Sequence, residues 1–267
     1  MLFYLGVQYL QAKRVYFTLV DINFNEKKML YKSGYNIYGY AIGILVLETK
    51  FPRIPGDMGN ATSFSFPVRY KVVKGASPQR VVDERDQTLL HDFIKAAKEL
   101  ELEGVRAITT TCGYLAMFQK ELSKELNIPI FTSSLLQVPL VHSMLKPEEK
   151  VGIIVANAKT FHPSILEAVG AKNIPVAITG MEEQYEFTFM RREMNRFNPN
   201  KVEKEVINVA KELIDCEPKI RAFVVEDANL PPYSKALQMA TKLPIFDFMT
   251  LTNWVHLALI KNQFGRR

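Results

Sequence analysis

Short apolar segments alternate with segments of helical periodicity from residue 41 onward. Seven runs of four to seven residues are apolar at odd and even positions alike, as expected of strands that are buried on both faces. Two intervening segments, 89–100 before Gly104 and 202–214 before Pro218, carry apolar residues at helical spacing. This alternation predicts an α/β fold with parallel sheets. The predicted strands are 41–47, 105–110, 128–131, 151–156, 174–178, 220–225 and 243–246.

The chain also repeats itself at a fixed spacing. Shifted by 115 positions without a gap, residues 105–115 align with 220–230, and Pro-Ile-Phe at 129–131 aligns with Pro-Ile-Phe at 244–246. A shorter match, Ile-Gly-Ile-Leu-Val on Val-Gly-Ile-Ile-Val, occurs at an offset of 109. Strand–helix units share apolar spacing by chance, but an identical Arg-Ala and an identical Pro-Ile-Phe at one offset indicate duplication. We therefore predict two pseudo-symmetric copies of one α/β unit of about 100 residues each.

The repeat also predicts domain boundaries. The first domain is expected at 41–148, completed by a C-terminal helix at about 250–267, and the second domain at 149–249. Residues 1–40 lie outside both copies. Their alternating apolar residues suit a strand or hairpin appended to the first domain, and they suit a poorly anchored extension equally well.

Composition and missing motifs exclude several classes of function. The 34 Lys and Arg against 28 Asp and Glu form no dense basic cluster, so no nucleic-acid partner is expected. The two cysteines lie 104 positions apart, which argues against zinc knuckles, iron–sulfur clusters and disulfide frameworks. No apolar run approaches the length of a membrane span, and the start lacks a signal peptide. We expect a cytoplasmic protein with no membrane partner, and a homodimer is possible on symmetry grounds.

The repeat places Cys112 and Asp227 at equivalent positions, each just after a strand and at the start of a helix. Ligands of open α/β sheets bind at these strand ends, so the two side chains are expected to approach one cleft from opposite sides. A helix N-terminus favours the thiolate, which makes Cys112 a candidate base or nucleophile. The competing interpretation is a small buried apolar residue.

Hydroxyl-bearing residues follow two strands of the first copy, next to Cys112 and near position 132. Such loops, together with free backbone N–H groups, can hold a carboxylate without arginine. Helix capping would require the same residue types at these positions. The predicted carboxylate cradle consists of Thr111, Gly113, Thr132 and Ser133.

Four segments together, 43–60, 108–114, 131–137 and 226–233, resemble one branch of the aspartate/glutamate racemase superfamily. This superfamily also includes hydantoin racemases, maleate isomerases and arylmalonate decarboxylase, and the resemblance covers most of residues 40–260. It implies two pseudo-symmetric α/β domains with the active site between them, and no pyridoxal phosphate, metal or other cofactor. The partner implied is a small carboxylate-bearing substrate.

In the racemases of this superfamily, a cysteine from each domain flanks the carbon that is deprotonated. Cys112 matches the first cysteine, whereas Asp227 stands at the position of the second. Asp227 could be a carboxylate acid/base, could bind a cationic part of the substrate while Cys112 works alone, or could mark a protein that has lost its chemistry. Further predicted substrate contacts are Asn60, Asn157, Ala228 and Asn229, of which Asn157 is chosen only because it follows a predicted strand.

The sequence favours a cofactor-independent racemase or epimerase, which abstracts a proton alpha to the carboxylate of a small amino acid or dicarboxylic acid. The alternatives are a one-base isomerase or lyase, similar to maleate isomerase or the decarboxylase, and a small-carboxylate binding protein without catalysis.

Overall fold

A computed structural model of the chain describes residues 21–22, 29–30, 34–192 and 196–261. These residues belong to two compact units, 1–34 and 35–267. In the first unit, strand β1 (Asp21–Ile22) pairs antiparallel with β2 (Met29–Leu30). Of the apolar residues that predicted a strand or hairpin there, Ile22 is described and the rest lie outside the described residues.

The second unit contains two four-stranded sheets whose strands are all parallel. The spatial order in the first sheet is β4 (Val68–Val73), β3 (Ile42–Leu47), β5 (Ala107–Thr110) and β6 (Ile130–Phe131). The order in the second sheet is β8 (Val176–Gly180), β7 (Lys150–Val155), β9 (Ile220–Val225) and β10 (Ile245–Phe246). Read in chain order, both sheets have the arrangement second, first, third, fourth. The predicted fold, two pseudo-symmetric parallel α/β units, is confirmed.

All seven predicted strands are present, and the sequence pattern missed one strand. β4 pairs along its whole length with β3 at the edge of the first sheet. Its side chains are mostly half-buried, and Val72 is 51% exposed. An edge strand needs only one neighbour and tolerates polar residues, so Arg69 and Lys71 interrupt the apolar run by which the other strands were recognised.

Eight α-helices occur among the described residues. Both predicted amphipathic helices are confirmed as α1 and α6, and the predicted C-terminal helix is α8, which already ends at Leu259. No helix of the described residues is long and apolar enough to cross a membrane. The bounds are α1 (Leu90–Leu102), α2 (Gln119–Glu125), α3 (Val138–Ser143), α4 (Pro163–Ala168), α5 (Tyr185–Arg191), α6 (Pro199–Cys216), α7 (Ser234–Thr241) and α8 (Phe248–Leu259).

The C-terminal helix packs on the first sheet. Phe248 and Leu251 of α8 share one apolar cluster with Ile42 and Ile44 of β3, and all four are almost fully buried. A hydrogen bond also joins the two halves: Ser134 Oγ, in the segment after β6, donates to the carbonyl of Val225 at the end of β9 at 2.7 Å. The chain thus returns to its first half after completing the second, and the carboxyl ends of β3, β5 and β9 meet at one cavity.

Candidate active site

A small cavity lies beyond the carboxyl ends of strands from both sheets. Its volume is about 20 Å³, enough for about one water molecule. Segments after β3, β5 and β9 line it, together with the end of α5. The lining residues are Leu47, Thr49, Phe51, Arg53, Pro78, Val82, Thr111, Cys112, Gly113, Arg191, Glu226, Asp227 and Asn229.

Cys112 lies directly after β5, where the chain leaves the sheet in an extended conformation and enters a 3-10 helix, Gly113–Phe118. Its backbone N–H donates to Thr110 Oγ1 at 3.2 Å, which holds the turn. The residue is 7% exposed. The helix start was expected to lower the pKa of the thiol, and the backbone N–H of Tyr114 does act in that direction, but larger effects outweigh it. Burial, followed by the charges of Glu226 and Asp227, raises the pKa of Cys112 well above its ordinary value.

Glu226 and Asp227 follow β9 as Cys112 follows β5. Glu226 is 1% exposed, and its Oε2 accepts the backbone N–H of Ala156 at 3.1 Å. Burial and the neighbouring charge of Asp227 raise the pKa of Glu226 to about 8. Burial also raises the pKa of Asp227, and Arg191 opposes this shift. Asp227 precedes the helical segment by several residues, since the 3-10 helix there begins only at Pro231.

A hydrogen-bonded network holds Arg53 at the cavity. Arg53 Nη1 donates to Asp57 Oδ1 at 2.7 Å, and its Nη2 donates to Thr49 Oγ1 at 2.9 Å. Asp57 Oδ2 accepts the side-chain amide of Asn229 at 2.7 Å. Both oxygens of the buried Asp57 are therefore satisfied. Asp57 orients the guanidinium directly, and Asn229 from the second half of the chain holds Asp57 in place.

Arg191 is the second cation of the cavity, and it comes from the last residue of α5. The opposite end of this helix is anchored by Glu205 of α6, whose carboxylate accepts the backbone N–H groups of Glu186 and Phe187 at 2.7 and 2.9 Å. A carboxylate at a helix N-terminus satisfies otherwise unpaired N–H groups. Arg191 lowers the pKa of Cys112, Glu226 and Asp227 alike, so its charge reaches all three acids.

A wider cleft of about 620 Å³ adjoins the small cavity. Pro78 and Arg191 line both spaces, so they lie where one meets the other. Asn157 lies in the wider cleft, where its side-chain amide donates to Asp83 Oδ1 at 3.0 Å. Its carbonyl oxygen accepts a short hydrogen bond from the hydroxyl of Tyr114.

The structure brings together five of the ten predicted site residues, namely Thr111, Cys112, Gly113, Asp227 and Asn229. Thr111 Oγ1 accepts the N–H of Leu47 at 3.1 Å, which leaves its hydroxyl hydrogen for a ligand. Gly113 lies so close to Glu226 that an added Cβ would clash with Glu226 Oε1.

The other five predicted residues do not line the cavity. Thr132 and Ser133 are fully buried: Thr132 bonds to Gln119, and Ser133 caps the next helix through the N–H of Leu135. Capping, the competing interpretation, describes Ser133 correctly. Asn60 caps a short helix and donates to the carbonyl of Arg53, while Asn157 belongs to the wider cleft.

Ala228 is likewise outside the cavity wall. The carbonyl oxygen of Ala228 accepts the N–H of Met58 at 3.2 Å. The side chain belongs to the apolar cluster beneath α8.

Three charged residues of the cavity were not predicted: Glu226, Arg53 and Arg191. Glu226 directly precedes Asp227, and Arg53 falls within a segment that carried the family resemblance, so position in the chain could have suggested both. Arg191 gave no such signal, because a basic pair on a helix is usually solvated. The described residues contain no group of three or more His, Cys, Asp and Glu able to hold a metal ion.

Comparison with known proteins identifies both relatives and fold. No protein-family model matches the chain. It is 30% identical over 236 residues to dimethylsulfoniopropionate lyase 7 of Emiliania huxleyi, with 84% of this chain and 69% of that protein covered. The same identity is found with dimethylsulfoniopropionate lyase 3 of that organism, of which the chain spans 61%.

Solved structures share the architecture at low sequence identity. Allantoin racemase from Pseudomonas fluorescens superposes with a TM-score of 0.58 and 12% identity, over 82% of this chain and 90% of that one. Unliganded arylmalonate decarboxylase superposes with a TM-score of 0.54 and 10% identity, over 85% of this chain and 95% of that one. The chain therefore has the racemase-superfamily fold that the sequence resemblance implied.

Proposed function

Because this chain belongs to the dimethylsulfoniopropionate lyase family, we propose that it is a lyase. It removes a proton from the carbon next to a carboxylate, and a leaving group departs from the neighbouring carbon. The proposed substrate class is a propionate with a sulfonium group on its β-carbon, such as dimethylsulfoniopropionate. The single observation that supports this chemistry is the meeting of a buried thiol, two carboxylates and two guanidinium groups in one cavity.

In the proposed reaction, Cys112 acts as the base in its thiolate form, which burial disfavours and which Arg191 and the sulfonium charge of the bound substrate stabilise. The sulfur takes the α-proton, the electron pair of the broken C–H bond forms a carbon–carbon double bond, and the β-carbon–sulfur bond breaks. The products are dimethyl sulfide, acrylate and the proton now held on Cys112. The step needs no cofactor, and elimination needs a base on one face only.

Asp227 has the role of counter-charge in this proposal. A sulfonium group is positive and carries no hydrogen-bond donor, so only an electrostatic partner recognises it. Asp227 lies in the same cavity as Cys112. In the racemases of the superfamily, the second cysteine occupies the position of Asp227. A carboxylate there favours the one-base reading, in which Cys112 works alone and Asp227 binds the cationic part of the substrate.

Arg53, Arg191 and the hydroxyl of Thr111 are the proposed partners of the substrate carboxylate. Charge accumulates on that carboxylate as the α-proton leaves, and fixed donors stabilise such charge without reorganising. Arg53 is preorganised for this task because Asp57 and Thr49 hold two of its nitrogens. The substrate exceeds a cavity of about 20 Å³, so binding requires the lining residues to separate, and the adjoining cleft offers the route.

The test is release of dimethyl sulfide and acrylate from dimethylsulfoniopropionate by the purified full chain, followed by gas chromatography and proton NMR. We expect release by the wild type and a loss of at least about 100-fold in the Cys112→Ser variant. Cys216→Ser is the matched control, because Cys216 is exposed and far from the cavity lining, and it should keep full activity. Equal activity of Cys112→Ser and wild type would overturn the assignment. Exchange of the α-proton in deuterated water without release of dimethyl sulfide would instead favour a racemase.

A further inference from the structure

The proposed elimination leaves one proton in the site after every turnover. A racemase returns such a proton to its product, whereas elimination produces no carbanion that could take it back. Cys112 must therefore pass its proton on before the next cycle. The thiol is 7% exposed and borders a cavity of about 20 Å³, so while the site is closed any proton acceptor must be a group that lines the same cavity.

We propose that Glu226 accepts the proton that Cys112 takes from the substrate, an inference that rests on the proposed lyase function. Glu226 packs against the residue that follows Cys112: an added Cβ on Gly113 would clash with Glu226 Oε1 and would lie 2.6 Å from the carbonyl oxygen of Glu226. Glu226 and Cys112 line the same cavity from opposite halves of the chain. A side chain at position 113 would displace Glu226, so glycine is what permits Glu226 to pack beside the residue that follows Cys112.

Glu226 suits this role better than Asp227. Asp227 Oδ1 accepts the N–H of Asn229 at 2.7 Å, which favours its charged form, and a charged Asp227 is what a sulfonium group requires. Glu226 Oε2 receives the N–H of Ala156 at 3.1 Å, and burial nevertheless raises the pKa of Glu226. Its Oε1 is the oxygen directed at Gly113.

The electrostatic surroundings support an exchangeable proton on Glu226. The charged and titratable groups that act on Cys112 and Glu226 are Asp227 and Arg191, and Tyr114 feels both. Their balance, dominated by burial, gives Glu226 a pKa of about 8. A carboxyl group with that pKa is mostly protonated at about pH 7 and becomes a proton acceptor as the pH rises through about 8, so the transfer from Cys112 operates in mildly alkaline solution.

The transfer is balanced as follows. After the substrate's C–H bond has broken, the S–H bond of Cys112 breaks and an O–H bond forms on the Glu226 carboxylate, which regenerates the thiolate. Because the pKa of Cys112 lies above that of Glu226, this transfer is uphill by itself, and the loss of the proton from Glu226 to solvent drives it to completion. Glu226 then gives the same proton to solvent when the site opens for product release. Glu226 thus accepts the proton from Cys112 and acts on the reaction only through Cys112, without contacting the substrate.

The first experiment measures steady-state kinetics of Glu226→Gln and Glu226→Asp with dimethylsulfoniopropionate. We expect kcat of Glu226→Gln to fall by at least about 100-fold, with KM within about twofold, and we expect Glu226→Asp to recover part of the loss. Glutamine keeps the shape and can still accept the N–H of Ala156, so it removes only the proton-accepting group. Full turnover by Glu226→Gln would overturn the proposal.

The second experiment needs no substrate. In a Cys216→Ser background Cys112 is the one thiol, so ultraviolet thiolate absorbance and alkylation by iodoacetamide report on it alone. Because the negative Glu226 raises the pKa of Cys112, Glu226→Gln should lower that pKa and speed alkylation several-fold at fixed pH. A variant that is slower in turnover but more reactive at the thiol supports the proposal, whereas slower alkylation indicates structural damage and overturns it.

The two experiments separate the proposals. Absence of dimethyl sulfide from the wild type refutes the proposed lyase function. In that case the thiol titration decides alone: a lower pKa of Cys112 in Glu226→Gln supports proton coupling between the two residues, and an unchanged pKa overturns it.

Discussion

The side-chain amide of Asn229 donates a hydrogen bond of 2.7 Å to Asp57 Oδ2, across 172 positions of the chain. The other oxygen of Asp57 accepts Arg53 at 2.7 Å and the N–H of Gly59 at 2.6 Å. Asp57 is 3% exposed, so these bonds replace water. A single amide from the second half thus completes the shell that orients a cation contributed by the first half.

Asn229→Ala should therefore lower both stability and substrate affinity. Loss of the amide leaves one buried carboxylate oxygen unpaired, which costs about 1–3 kcal/mol, and the freed Arg53 should raise KM for dimethylsulfoniopropionate. Denaturant unfolding and steady-state kinetics measure the two effects. Asn60→Ala is the comparison, because its side chain bonds to the backbone carbonyl of Arg53 and to Thr62 and not to the Asp57 carboxylate. A rise in KM of equal size in Asn60→Ala would count against the proposed orientation of Arg53.

Asp227→Asn should weaken binding of a cationic ligand selectively. The variant keeps the shape of residue 227 and removes the charge that faces the sulfonium group. In a Cys112→Ser background, we expect affinity for dimethylsulfoniopropionate to fall at least about tenfold. Affinity for 4-methylpentanoate, an isostere that keeps the carboxylate and lacks the sulfonium charge, should change less than about twofold. Calorimetry measures both, and equal losses for the two ligands would show that Asp227 does not sense the sulfonium charge.

Gly113→Ala should impair stability and activity together. The added Cβ would meet the Glu226 carbonyl oxygen at 2.6 Å, and backbone cannot move aside as a side chain can. Overpacking of this kind costs about 1–3 kcal/mol. In Gly152→Ala, the new atom meets only the side chains of Phe223 and Ile220, away from the cavity. Thermal unfolding should register both variants, whereas kcat per folded molecule should fall only in Gly113→Ala.

Glu226 should make the protein less stable as the pH rises through neutrality. Its pKa of about 8 lies above the ordinary value of 4.5, so the folded state binds more protons than the unfolded state between these values. The stability contribution is fully present below about pH 4.5 and is lost as the pH rises toward 8. Relative to wild type, Glu226→Gln should therefore gain stability from pH 5 to pH 9.

Melting temperatures of both proteins across this range test the prediction. The exposed Glu183 serves as the control position, since Glu183→Gln should follow wild type at every pH. A constant difference between Glu226→Gln and wild type would mean that the buried carboxyl does not titrate in this window.

Much of the fold follows from local pattern. Buried strands are recognisable as apolar runs, because both of their faces are buried. The amphipathic helices α1 and α6 are recognisable from apolar residues at helical spacing, because one of their faces is buried. The edge strand β4 escaped this rule because one of its neighbours is solvent. Duplication then related Cys112 to Asp227 without any knowledge of three-dimensional structure.

The sequence predicted only part of the residues that line the cavity. Thr132 and Ser133 have residue types suited to a carboxylate cradle, yet they bond inside the protein to Gln119 and to the N–H of Leu135. A hydroxyl near a strand end caps a helix or binds a ligand according to which partner lies within reach, and sequence spacing does not encode that distance.

By itself, the sequence determined the two repeated α/β units, the strand ends where ligands bind, and the thiol and carboxylate at equivalent positions, since each of these depends on the order of residues along the chain. Only the tertiary structure decided that Arg53, Arg191 and Glu226 join them, and that the thiol's pKa rises. Charges interact according to distance and burial, and both quantities arise only when segments far apart in the chain pack around one cavity.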